Sequence, residues 1–191
     1  LFLITLFCWS PTWYLIKFQF GVVDPLISIF YRFFIASIIV FIFLILSKKK
    51  MSFNLHQHLS FLLLGVTLFS LNYIFFYLAN TYLISGIVTI AFSTILIMNI
   101  LGERIYFKIK SSKETLFAAV FGIVGILIIF GNELLNFKLE DKTHIGIILS
   151  FIATFWASTG NLIHQKNSKD KIPFIQSIDY GMLYGSLFTL I

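Results

Sequence analysis

The chain has 191 residues, of which 59% are apolar and 12% charged, and its formal net charge is +6. No soluble domain of this size could withdraw so much apolar surface from water. The apolar runs are continuous and close to the length that crosses a hydrocarbon core of about 30 Å, which excludes a β-barrel with its short alternating strands.

The composition predicts an all-α polytopic membrane protein with about seven transmembrane helices. Its expected partners are the lipid bilayer and a small-molecule substrate, with no nucleic acid, because the positive charge sits in loops that meet anionic headgroups. The single cysteine, Cys8, cannot form an intrachain disulfide. Many Phe, few Ala and an excess of Lys over Arg suggest an AT-rich, bacterial genome.

The first run covers 1–20. Pro11 removes one backbone hydrogen bond and clashes with the carbonyl of Phe7, so a kink is expected over 7–11. Ser10, Trp13 and Lys17 stand at i, i+3 and i+7 and share a face. The run has neither a basic leader nor a small-residue cleavage site, and reads as a retained helix. A turn over 21–25 follows. The second run spans 25–46, with Asp24 as N-cap, Pro25 in the first turn and Arg32 two turns in.

The third run spans 59–80 and carries a polar stripe of Tyr73, Tyr77 and Asn80. The fourth, 84–101, groups Gly86, Thr89 and Ser93 on one face and stops near Gly102. The fifth, 114–131, has Ala118 and Gly122 as a packing seam. A mixed-charge loop, 132–143, leads to the sixth run, 144–165, with Trp156, Asn161 and His164. The seventh begins near Pro173, contains Asp179 and is unfinished at Ile191. Both chain ends read as cut.

Alternate loops hold ten cations: Lys48, Lys49 and Lys50, then Arg104, Lys108, Lys110 and Lys113, then Lys166, Lys169 and Lys171. The opposite loops hold only Lys138 and Lys142. This bias places the first set and the N-terminus in the cytoplasm. Trp9, Thr12 and Lys17 are echoed at a single offset by Trp156, Thr159 and His164. Pro25 and Tyr31 are echoed near that offset by Pro173 and Tyr180. Five spans separate the copies, and an odd number reverses orientation. The echo therefore predicts two inverted five-helix repeats, the architecture that secondary transporters use for alternating access.

These residues resemble the EamA branch of the drug/metabolite transporter superfamily. The likeness begins at Trp9-Ser-Pro-Thr-Trp-Tyr-Leu-Ile-Lys17 and continues in Asp24-Pro25, Arg32 and Ala36. It extends through Tyr77-Leu-Ala-Asn-Thr-Tyr82, Ser85-Gly-Ile-Val-Thr89 and Leu101-Gly-Glu-Arg104, and 144–180 resembles the opening of a second repeat. The resemblance implies a ten-helix fold of two inverted EamA repeats that moves small metabolites or drugs, often outward. On that reading 1–131 is the first repeat, 132–143 an external loop and 144–191 an incomplete second repeat. The family commonly has a proline in mid-fourth helix; Ser93 or Thr94 stands there instead, which leaves a bend undetermined. A truncated remnant or half-transporter, acting as a homodimer or with a partner half, is the alternative reading. An intramembrane enzyme is a weaker one, because no acids and histidines cluster at one depth.

A cation at bilayer depth costs about 2.5–3.5 kcal/mol on insertion scales, so Lys17 and Arg32 are the first candidates for a substrate cavity. Each has the alternative of reaching the interface along its own stem. Trp13, Tyr73, Tyr77 and Trp156 are candidate stacking surfaces, with lipid-facing aromatics as the alternative. Ser10, Asn80, Asn161 and His164 are candidate hydrogen-bonding groups, with interhelical bonds as the alternative. Asp179 is the candidate coupling acid, or else an ion-pair partner of a lysine or Arg32. Glu103 reads as a solvated helix end. His56-x-His58 lacks a third ligand. No catalytic residue, metal site or cofactor is expected. The bacterial inner membrane is the expected location.

Overall fold

A computed structural model describes residues 3–4, 6–7, 23–135 and 142–191, except for the side chain of Glu133, and every regular element among them is helical. Helix α1 is Pro25–Leu46. Asp24 starts it by accepting from the backbone N–H groups of Leu26 at 2.8 Å and Ile27 at 3.4 Å. These two donors have no partner inside the helix, and a side-chain acceptor satisfies them.

Helix α2, Leu55–Leu64, begins earlier than the apolar run because Asn54 and Gln57 form a reciprocal capping box. It runs without interruption into a π-helical segment, π1, Gly65–Leu71, and then into α3, Asn72–Tyr82. The three make one rod of 28 residues. In π1 the Thr67 hydroxyl donates to the carbonyls of Leu63 and Leu64 at 2.8 and 3.2 Å. The Asn72 N–H reaches back five residues to the Thr67 carbonyl.

Helices α4, Ser85–Ser93, and α5, Ile95–Tyr106, are separated at Thr94. The Thr94 N–H bonds three residues back to Ala91 at 3.2 Å. The hydroxyls of Ser93 and Thr94 donate to the carbonyls of Ile90 and Ala91, both at 2.6 Å. Hydroxyls that compete for helix carbonyls bend helices, so this rod breaks without proline. Both α4 and α5 pack on α8, Thr143–Lys169, whereas α6, Lys113–Ile129, packs on α4. A short helix α7, Gly131–Leu135, follows α6, and α9 is Phe174–Phe188.

Four rods among the described residues are long and apolar enough to cross a membrane: α1, α2–π1–α3, α4–α5 and α8. That count, taken over the described residues alone, is lower than the expected seven. Helices α6 and α9 have 17 and 15 residues, and most of the first run lies outside the described residues. Run length measures apolarity, whereas helix length is set by where backbone bonding stops. Ser112 caps the start of α6, Phe130 ends it, and Pro173 with ψ 135 is the N-cap of α9, which starts near the expected residue.

Helix α3 is sandwiched. One face packs Tyr77 with Ile29, Phe33 and Met182, joining α1, α3 and α9. The adjoining face packs Phe76 and Ala79 with Leu83, Ile87, Val88 and Ala153, joining α3, α4 and α8. The π1 segment lies against both α8 and α9. At the α9 crossing the backbones almost touch: a methyl group on Gly65 would strike the Gly181 carbonyl oxygen and stand 2.7 Å from the Gly185 nitrogen.

The basic loops gather at one end of the bundle. Tyr180 donates to the Met51 carbonyl at 2.8 Å, and Gln176 to that of Lys50 at 3.3 Å. The Lys169 ammonium stands 3.8 Å from the centroid of the Phe107 ring. We call this the basic end.

Candidate functional site

The helix order brings the candidate residues together in separate groups. Arg32, half-buried on α1, has its guanidinium 5.2 Å from the Tyr73 ring centroid on α3 and 5.6 Å from that of Phe33. Phe33 meets Tyr73 edge-on at 4.7 Å and Phe69 at 5.1 Å. A guanidinium over ring faces gains from the ring quadrupole most when water is excluded. Tyr77 lies one turn along in the same cluster, at 2% exposure, wedged among Ile29, Phe33 and Met182.

Asp179 is carried by α9 and is 0% exposed. Neither of its carboxylate oxygens has a hydrogen-bond partner among the described residues. Its neighbours in sequence explain the burial. Ile178 and Met182 pack into the α1–α3 cluster, while Tyr180 stacks on Phe61 at 5.2 Å on the α2 side. The acid is thus held in the middle of a three-helix contact.

His164 belongs to a different group, at the basic end. Its Nδ1 is 3.5 Å from the Ser177 hydroxyl, its ring is edge-on to Phe174 at 4.6 Å, and its Nε2 is buried without a partner. Ser177 accepts from Asn167 Nδ2 at 3.0 Å, and Asn167 Oδ1 accepts from the Ser60 hydroxyl at 2.5 Å. Ser60, Asn167, Ser177 and His164 thus tie α2, α8 and α9 together.

The remaining candidates on the described helices are placed singly. Asn80 Nδ2 donates to the Phe76 carbonyl on its own helix at 2.8 Å. Trp156 is half-buried and meets Phe155 edge-on at 5.6 Å. Asn161 is half-buried on α8, next to Gly160, which lies against Leu68 of π1. Ser10, Trp13 and Lys17 lie outside the described residues.

Sequence reasoning passed over Asn167 and Ser177, because polar residues near the ends of apolar runs look like interface. Both are 0% exposed. Glu103 is half-buried and accepts from Gln165 Nε2 at 2.8 Å, which replaces the expected solvated end. His58 Nδ1 is 2.8 Å from the Tyr184 hydroxyl, and its ring packs edge-on to Phe53, Phe61 and Tyr180, so it serves packing at the basic end. Among the described residues no three His, Cys, Asp or Glu side chains converge as metal ligands.

Comparison with known proteins adds one match. The family model described as "EamA-like transporter family" matches residues 1–131. No curated protein and no solved structure matches the chain. The match covers more than half the chain and agrees with a bundle of long apolar helices. This is an integral membrane transporter of the drug/metabolite type, and the chain belongs to the EamA-like transporter family.

Proposed function

We propose that this protein exports small metabolites or drugs across the bacterial inner membrane, N-terminus inside, by proton-coupled alternating access between two inverted repeats. The reading rests on one observation above all: Asp179 is wholly buried and its oxygens have no partner among the described residues. An isolated buried charge is costly, and an acid that must be neutralised inside a membrane bundle suits a proton carrier. In this scheme Asp179 takes a proton from one side and returns it on the other as the repeats rock. Arg32 and Tyr73 supply a cation and a ring face to the substrate. In this scheme the coupling is antiport, so that protons entering down their inward gradient drive the substrate out.

The test is transport by the intact protein in proteoliposomes with an imposed pH gradient, using ethidium and radiolabelled amino acids and nucleosides as probes. Asp179→Asn should abolish gradient-driven accumulation and leave substrate exchange at equal pH intact. Gradient-driven accumulation by Asp179→Asn at the wild-type level would refute the coupling role. Failure of the wild-type protein to move any probe would remove the transport reading for these substrate classes.

A further inference from the structure

The break at Thr94 does more than bend a rod. Helix α5 continues along α8, which α4 also contacts; there Gly102 packs under Leu162 and Glu103 receives the Gln165 hydrogen bond. Helix α6 stays with α4. The two helices therefore diverge, and a cleft of about 320 Å³ lies between them. That volume is at the lower end of the range for small-molecule sites.

One wall is the α5 face of Leu96, Asn99, Ile100 and Glu103, spaced i, i+3, i+4 and i+7; the other includes Thr115 and Ala119 of α6. Small residues on α6 keep the cleft wide. At its far end Leu96 approaches Gly122, where a methyl group would stand 3.6 Å from Leu96 Cδ1. The near end opens at the loop holding Lys108 and Lys110, with Lys113 as the first residue of α6; all three are exposed.

The chemistry of the cleft is incomplete. Asn99 Oδ1 is buried and accepts from nothing among the described residues. Glu103 Oε1 accepts from a neutral amide. Among the described residues the polar end thus offers acceptors without a cationic donor, the body is apolar, and the rim is basic. The outer face of α6 is apolar and open, with Phe117 and Phe121 65% and 72% exposed, so acyl chains surround it in a bilayer.

We propose that the cleft binds an aminophospholipid from the leaflet at the basic end. Its primary ammonium donates to Asn99 Oδ1 and the Glu103 carboxylate. Its phosphate meets Lys108, Lys110 and Lys113, and an acyl chain lies along Leu96 and Ala119. A primary ammonium carries three N–H donors. A trimethylated headgroup has none, and a glycerol headgroup has no cation. The site should therefore select phosphatidylethanolamine over both phosphatidylcholine and phosphatidylglycerol. The proposal is independent of the role given to Asp179.

The test is native mass spectrometry of the purified protein after exchange into an equimolar mixture of these three lipids. The wild type should retain phosphatidylethanolamine about tenfold over each of the others, the size expected of one charge-assisted hydrogen bond. Glu103→Gln, which can still accept from Gln165, and Asn99→Leu should each bring that ratio close to one. Equal retention of the three lipids by the wild type would overturn the proposal, as would an undiminished preference in Glu103→Gln. Preference for phosphatidylglycerol would also overturn it, because the basic rim alone would then be binding. Helical content and elution volume monitor folding, and if Asn99→Leu does not fold, Glu103→Gln alone decides.

Discussion

Adding one methyl group at Gly65 should destabilise the protein, whereas the same change at Gly125 should not. A Cβ on Gly65 would strike the Gly181 carbonyl oxygen and lie 2.7 Å from the Gly185 nitrogen, while none of the described residues stands within 4 Å of the corresponding point at Gly125. The obstructing atoms at Gly65 are backbone, so no rotamer change relieves the clash. Restoring ordinary contact at about 3.4 Å requires α9 to move off π1 by at least about 0.7 Å at the Gly185 nitrogen, and by more at the nearer Gly181 oxygen. Such a shift also pulls on the Phe61–Tyr180 stack beside the crossing. Forcing extra carbon into a packed contact costs about 1–3 kcal/mol. Against this, Ala is favoured over Gly in a helix interior by about 0.8–1.0 kcal/mol. The net expectation is a loss of about 0–2 kcal/mol for Gly65→Ala and a gain of up to about 1 kcal/mol for Gly125→Ala, a difference of about 1–3 kcal/mol between chemically identical changes. Equilibrium unfolding in mixed micelles, followed by circular dichroism, measures both. If Gly65→Ala proved as stable as Gly125→Ala, the close backbone crossing would be refuted.

Further consequences concern other contacts. Asn167→Ala leaves the Ser60 and Ser177 hydroxyls without their shared partner at a fully buried point. It should cost about 1–3 kcal/mol in the same unfolding assay; a neutral result would show that the bridge does not form. A double-mutant cycle of Arg32→Gln and Tyr73→Leu should give a coupling of about 0.5–1 kcal/mol for the cation over the ring. Zero coupling would dismiss that contact. Changing Ser93 to Ala together with Thr94 to Val removes both hydroxyls that compete for helix carbonyls. Spin labels at Ile97 and Phe121 should then report a narrower α5–α6 separation, and an unchanged distance would show that the hydroxyls do not make the break.

Much of this protein was legible before any packing was known. Continuous apolar runs fixed the all-helical, membrane-spanning class, because backbone groups in lipid must be satisfied within the segment. Local chemistry placed several ends: Asp24 and Pro25 start α1 at the expected residue, and α1 stops where the lysines begin. These are interactions between neighbours in sequence, and sequence order reports them directly.

What sequence order could not report are contacts between residues far apart in the chain. Tyr73 and Tyr77 form one stripe in sequence, yet Tyr73 lies beneath Arg32 while Tyr77 is sealed in the core. Asn167 looked like part of a basic loop and is instead the buried link between Ser60 and Ser177, more than a hundred residues from the first and ten from the second. The break at Thr94 depends on hydroxyl groups competing for carbonyls, and a sequence without proline left it undetermined. Composition and local spacing set which segments become helices. The crossings of α3, α8 and α9 decide which of their polar atoms lose water, and only those atoms must find a partner or remain available for one.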